Sequence, residues 1–169
     1  FSIGGAQAIG AMAFGTESVP QVDMICGPGN VFVTLAKQMV YGQVAIDGLY
    51  GPTEAVLIAD ENADPDFCAA DVIAQAEHDP LASSILITTS ETLVPKIEKA
   101  LKRQMERLST REVAQEALQR NGIAVVVQDL EEALALANQY APEHLGLMVA
   151  DPWKLVSRIR HAGGVFLGR

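Results

Sequence analysis

From Pro52 onward, short continuously apolar runs alternate with longer mixed ones, and turn residues stand at nearly every boundary. Ala55-Val-Leu-Ile-Ala59, set between Gly51-Pro52 and Asp60, has no polar side and predicts a buried strand. Asp64-Pro65 then predicts a helix with Asp64 as N-cap and Pro65 at its first position, running to about His78. The same signals predict a strand over 84–88, a long helix capped by Ser90 to about Leu108, and a helix capped by Thr110 that stops at 119–122. A strand over 123–127 follows. Asp129 then caps a helix over 130–140, and another strand covers 145–149. Asp151-Pro152 opens a last helix, expected to reach about His161, before a final strand over 165–167.

Strands that are apolar along their whole length must be covered on both sides, and the intervening helices supply the cover. The pattern therefore predicts an α/β fold over residues 52–169: a Rossmann-like, mostly parallel sheet with helices on both faces. Ligands of such sheets bind at the carboxyl ends of the strands, which sets an expectation for the site. Residues 1–51 have another texture, punctuated by Gly4-Gly5, Gly15, Gly27-Pro28-Gly29, Gly42 and Gly48. Helices over about 7–14 and 32–41 flank a strand over 22–26. This reads as a partial second α/β unit joined at about Gly51.

Composition narrows the function. With 49% hydrophobic and 20% charged residues in 169, the chain can bury a real core, though only 5% are aromatic. A net charge of −9 excludes nucleic acid and anionic membrane as partners, since both require basic patches. The longest aliphatic run, Ile123 to Val127, is too short to span a bilayer. The uncharged opening 1–14 lacks the basic region of a signal peptide. The chain begins without Met and stops just after a strand-like run, so it reads as an excerpt of a longer protein. Cys26 and Cys68 form neither a disulfide framework nor a zinc spacing. Both read as buried small hydrophobes of a protein in a reducing compartment, the cytoplasm or a plastid.

Few segments carry candidate chemistry. Gln75-Ala-Glu77-His78-Asp79 closes the first helix of the second unit, where positions i and i+3 share a face. Gln75 and His78 either reach one metal ion together or form a polar helix end, with His78 near the terminal carbonyls. Ala141-Pro142-Glu143-His144-Leu145 lies between a helix and a strand. Pro142 enforces an extended entry that leaves Glu143 and His144 on a loop, as an acid–base pair or as solvated surface. Gly27-Pro28-Gly29-Asn30 is either a type II turn, with Gly29 supplying positive φ and Asn30 as N-cap, or a close approach of backbone to a phosphate. No GxGxxG fingerprint occurs. Thr53, in a second Gly-Pro turn, binds substrate or finishes the turn. His161 and the stretch 96–107 read as solvated helix surface.

In order along the chain, GGAQAIGAMAFGT, GPGN, ID-x3-GPTE, IAD, QAEHD-x-LA, APEHL and AGG-x-FLG resemble the histidinol dehydrogenase family. The resemblance implies two successive oxidations, L-histidinol to L-histidinaldehyde to L-histidine, at the end of histidine biosynthesis, with two NAD and a bound zinc. It gives the first unit an NAD-binding character. Gln75 and His78 match zinc and substrate ligands; Glu143 and His144 match the catalytic pair. His144 would take the alcohol proton, and Glu143 would activate the water that hydrates the aldehyde. Gln7 and Asn30 match NAD contacts, and Thr53 stands at a substrate position where Ser is usual. Glu77 receives no role. The family is homodimeric, and its remaining zinc ligands, an Asp and a His, lie beyond this sequence. The chain alone is thus expected to bind zinc weakly or not at all and to lack activity. Rival readings are a zinc- and NAD-dependent dehydrogenase of another amino or sulfonated alcohol, a cysteine-dependent aldehyde dehydrogenase, and a non-catalytic scaffold.

Overall fold

The computed structural model describes residues 1–168, which divide into two compact units, Phe1–Pro52 and the remainder from Thr53. The first unit holds α1 (Gly5–Phe14), β1 (Met24–Ile25), α2 (Val31–Val40) and β2 (Ala45–Ile46). β1 and β2 pair in parallel through Met24–Ala45 and Ile25–Ile46. Ile9, Ala13, Ile25, Val40 and Val44 form its small core. Only the middle of the expected strand 22–26 is strand. β2 is so short that its sequence carries no period-2 signal.

The second unit runs β3 (Glu54–Ala59), α3 (Pro65–Ala76), β4 (Ser83–Thr88), α4 (Leu93–Met105), α5 (Arg111–Asn121), β5 (Gly122–Val126), α6 (Leu130–Tyr140), β6 (His144–Met148), α7 (Trp153–Val156) and β7 (Gly164–Gly168). Its strands form one five-stranded sheet, ordered β5-β4-β3-β6-β7 and parallel throughout. The chain builds outward from β3 through β4 to β5. It then crosses to the other side of β3 for β6 and β7, so the order switches between β3 and β6.

Alternation along each strand sends side chains to opposite faces. Leu57, Ala59, Leu86 and Met148 pack with Cys68, Ala69 and Val72 of α3 and with Leu93, Ile97 and Ala100 of α4. Val56, Ile58, Leu145, Leu147 and Val149 pack with Ala133, Leu134 and Ala137 of α6 and with Leu155 of α7. Both faces are thus covered, as the apolar runs required. α5 docks on the end of α3 through Ala76, Ala114 and Ala117.

Among the described residues, side-chain caps explain the starts of three of the seven helices, α2, α3 and α6, and the expected cap Thr110 makes no such bond. Asp64 accepts the Asp66 N–H, with Pro65 next, and Asp129 accepts the Glu132 N–H. α4 starts later than expected, at Leu93, because Ser90 sits in a preceding turn whose carbonyl accepts the Leu93 N–H. The last helix is cut to one turn. Asn138 of α6 accepts the Arg160 and His161 N–H groups and donates to the Arg158 carbonyl. Those bonds, with the Arg158–Glu131 ion pair, give the 158–161 backbone partners other than a helical ladder. His161 therefore lies outside any helix, its Nδ1 3.1 Å from the Asn138 carbonyl oxygen. Among the described residues no helix is long and apolar enough to cross a membrane.

Candidate active site

The switch between β3 and β6 creates a crevice at the carboxyl ends of the strands, where the fold rule places a ligand. Here the chain itself bridges that end, beside a cavity of about 150 Å³ lined by Asn62, Ala63, Met148, Val149 and Ala150. Asp60 accepts the Asn62 N–H at 2.9 Å and the Ala150 N–H at 2.7 Å, tying together the loops after β3 and β6. The residues singled out from the second unit lie at the opposite, amino-terminal edge. Thr53 directly precedes β3, and its carbonyl accepts the Ser83 N–H at 2.9 Å. α3 links two parallel strands, so it runs back along the sheet and brings Gln75, near its last residue, to the amino ends. His144 is the first residue of β6, paired with Ala55 on one side and Gly164 on the other.

That placement corrects the expectation of a loop. α6 ends at Tyr140, and its cap residue Ala141 takes the left-handed conformation at φ 58°. Pro142 then enters the sheet, and its carbonyl accepts the Gly163 N–H at 3.0 Å while the Glu143 carbonyl accepts the Gly164 N–H at 2.8 Å. A Cβ on Gly163 would lie 2.8 Å from the Glu143 carbonyl oxygen, so only glycine lets the strands approach this closely. Pairing thus starts early enough to include His144.

His144 shares its sheet face with Ala55, Gly146, Ser84 and Phe166 through the register. Its Nδ1 lies 3.1 Å from Oε1 of Gln75, and its ring meets Phe166 edge-on at 5.3 Å between centroids. In the tautomer that donates from Nδ1 to this amide oxygen, Nε2 keeps its lone pair. Gln75, His144, Phe166, Gly146, Ser84 and Asp71 line a cavity of about 210 Å³. Asp71 stands one turn before Gln75 on the same side of α3, and burial pushes its carboxyl above the usual range. Asp71 and Phe166 were not singled out in the sequence. The i−4 spacing from Gln75 would have found the first, and the AGG-x-FLG motif contains the second.

The other predicted residues are not drawn into this cluster. Glu143 is exposed, and its side chain makes no hydrogen bond among the described residues. His78 is exposed too, and it is not on α3, which stops at Ala76. The shared helical face assumed for Gln75 and His78 therefore does not exist. The cause lies in its neighbours: Glu77 accepts the Thr110 hydroxyl at 2.6 Å, and Asp79 accepts the Leu81 N–H at 2.7 Å. These contacts fix a turn with His78 at its outside and give Glu77 a structural role. Among the described residues no three His, Cys, Asp or Glu side chains gather to hold a metal. Gln75 and His78 offer an amide oxygen and an imidazole, donors that zinc accepts, but two donors do not complete its shell.

In the first unit, Asn30 caps α2, its Oδ1 accepting the Phe32 and Val33 N–H groups at 3.1 and 3.2 Å. The positive φ of the preceding turn belongs to Gly27, at 125°, and not to Gly29. Gly27 is held from both sides: its N–H donates to Asp47 at 2.8 Å and its carbonyl accepts from Lys37 at 3.0 Å. Gln7 is exposed near the start of α1, its Oε1 folded over Gly5. The thiols divide. Cys68 is fully buried against the Met148 sulfur, and burial, with the charges of Asp71 and Asp64, pushes its pKa up to about 12. Such a thiol supplies no thiolate at neutral pH. Cys26 is exposed, against expectation, because it follows the two residues of β1 and leads into the Gly27 turn.

The histidinol dehydrogenase family model matches residues 1–169. Histidinol dehydrogenase of Parasynechococcus marenigrum is 58% identical over 166 residues, covering 98% of this chain and 38% of that protein. The enzyme of Dehalococcoides mccartyi is 52% identical over 168 residues, covering 99% and 38%. The solved structure of histidinol dehydrogenase from Elizabethkingia anophelis superimposes with a TM-score of 0.91 at 42% identity, over 98% of this chain and 38% of that one. The chain thus spans about 38% of the length of these relatives. Matched from first residue to last, and agreeing in fold as well as in sequence, the chain belongs to the histidinol dehydrogenase family.

Proposed function

We propose that this chain supplies part of the active site for the NAD-dependent oxidation of L-histidinol, through L-histidinaldehyde, to L-histidine. The observation that supports it most is the His144–Gln75 contact, 3.1 Å from Nδ1 to Oε1 at the wall of a cavity. An imidazole whose Nδ1–H is engaged has its Nε2 lone pair ready to take a proton from an alcohol. The edge-on contact with Phe166 holds the ring plane. Glu143, exposed beside it, acts as the base for water that hydrates the aldehyde before the second oxidation. Thr53 offers its hydroxyl to the substrate.

The family uses NAD and zinc. When bound, NAD would supply the hydride acceptor for each oxidation, and zinc, held in part by Gln75 and His78, would supply a Lewis acid that orients the substrate. On this reading Gln75 and His78 contribute two zinc donors, while Gln7 and Asn30 contact NAD. Zinc needs more protein donors than these, so the remainder come from segments outside this sequence and from the second subunit of a homodimer. Accordingly, the 169-residue chain by itself binds zinc weakly or not at all and is inactive. Stoichiometric, tightly held zinc in the purified chain would count against this.

The decisive variant is His144→Asn in the full-length protein. Turnover of L-histidinol should fall by about 10²–10⁴, the usual contribution of a positioned base, with zinc content unchanged. Turnover within about twofold of the parent would remove His144 from the chemistry. One observation favours a second reading: Thr53 carries a methyl that the usual Ser lacks. A related dehydrogenase of another amino alcohol would show itself by a higher kcat/KM on that alcohol than on L-histidinol. The cysteine-dependent route finds no support in Cys68, whose thiol stays protonated.

A further inference from the structure

A buried cation in the first unit has no part in the reading above. Lys37, on α2, is 2% exposed. Burying an ammonium is costly unless it is paired and hydrogen-bonded, and Lys37 has both kinds of partner. Its Nζ forms an ion pair with Asp47, donates to the Gly27 carbonyl at 3.0 Å, and lies 5.4 Å from the centre of the Tyr50 ring. Asp47 in turn accepts the Gly27 N–H at 2.8 Å and its neighbour's, that of Gly48, at 2.9 Å. These bonds and the lysine together hold the Asp47 carboxyl down at about 2.

The arrangement is specific to one peptide residue. Both backbone groups of Gly27 are held by the two halves of a single ion pair, and Gly27 sits at φ 125°, where other residues are strained. Pro28, Gly29 and Asn30 follow at once, and Asn30 begins the helix that carries Lys37. The lysine thus reaches back along its own helix to set the turn that starts it. If the ion pair served only to fill the core, an apolar side chain would serve as well. A charge is needed where backbone polar groups in a turn without ladder partners must be oriented.

We propose that Lys37 and Asp47 are a positioning pair, which locks the Gly27–Asn30 turn in the shape that presents the Asn30 amide to NAD. This rests on the reading of Asn30 as an NAD contact. Asn30 spends its oxygen on the helix cap, so the NH₂ end of this exposed side chain is what remains for a ligand.

The test uses the full-length protein, with NAD affinity measured by calorimetry and backbone amide exchange followed over residues 26–33. Lys37→Met keeps the length of the stem and removes the charge. Asp47→Asn keeps an acceptor for the Gly27 N–H and is the milder change. Lys37→Met should weaken NAD binding about tenfold, the scale of one lost charged hydrogen bond. It should also speed exchange over 26–33 about tenfold, with kcat at saturating NAD within about twofold; Asp47→Asn should do the same to a lesser degree. NAD affinity within twofold of the parent in both variants, or exchange accelerated equally throughout the first unit, overturns the proposal. If Lys37→Met does not fold, Asp47→Asn decides alone. Asn30→Asp preserves the cap oxygen and sets a charge against the cofactor's phosphates. If it leaves NAD affinity unchanged, the Asn30 reading falls and the proposal with it. If it weakens affinity while the Lys37 and Asp47 variants do not, the positioning role alone is refuted.

Discussion

The two edges of the five-stranded sheet are built from the same strands yet differ in what they leave available. At the carboxyl edge, Asp60 is buried, with 6% exposure, and consumed by the Asn62 and Ala150 amides. At the amino edge, His144 is only half buried and has one ring nitrogen engaged, by Gln75. Doubly wound sheets favour the carboxyl edge because helix N-termini and diverging loops meet there. In this molecule a carboxylate ties together the loops beside that crevice, and a strand that begins early carries an imidazole at the opposite rim. What decides the location of a site is which polar side chains still have capacity to bind, and topology only sets the starting odds.

Asp60→Ala would test the carboxyl edge most severely. It removes the carboxylate that accepts the Asn62 and Ala150 N–H groups and should cost about 3 kcal/mol of stability in urea unfolding, with little change in the KM for L-histidinol. A large rise in that KM with intact stability would reverse the comparison and move the site to the carboxyl edge. Gly163→Ala strikes the open edge through the backbone. Its Cβ would meet the Glu143 carbonyl oxygen at 2.8 Å, so strand β7 must shift, at a cost of about 1–3 kcal/mol. Because His144 follows Glu143, turnover should fall further than the stability loss explains; a variant with full kcat would show the strand start to be irrelevant to the base.

The smallest effects concern pH. Asp47 has a folded pKa of about 2 against 3.8 unfolded, so its stabilising contribution is complete above about 4 and is lost as pH falls toward 2. Asp47→Asn should flatten the acid limb of the stability curve. Cys68 acts at the other end. Its folded pKa of about 12 lies above the ordinary 9.0, so stability is unaffected below 9 and declines as pH rises from 9 toward 12. Cys68→Ala should remove that decline, and an unchanged alkaline limb would mean the thiol is less buried than it stands here.

The sequence was most legible where one residue decides a local outcome. Asp64-Pro65 opens α3 and Asp129 opens α6 as read, and the apolar runs identify every strand of the main sheet. It was least legible where a distant partner decides. The helix expected to reach His161 fails because Asn138, an element away, captures its backbone. His78 leaves the Gln75 face because Thr110 holds Glu77. The positive φ moved from Gly29 to Gly27 because Lys37 and Asp47 meet there, a contact no spacing rule announces. For the site the order of motifs mattered more than any motif alone. Gln75 was singled out with His78 and His144 with Glu143, the resemblance gave them roles, and the mutual contact of Gln75 and His144 becomes visible only when α3 returns along the sheet.

A base carried on a loop has the positional tolerance of that loop, often an ångström or more, and closes on its substrate by moving. His144 is instead the first rung of a strand with parallel neighbours on both sides, Ala55 and Gly164. Its Cα inherits the stiffness of the sheet, and its ring is further pinned by Gln75 and Phe166. On the proposed reading of His144 as a base, such an anvil would give the tight tolerance, about 0.5 Å, that a catalytic group needs. On that reading the base would not swing. Any opening and closing that admits substrate and releases product would then be done by parts of the protein that come to it.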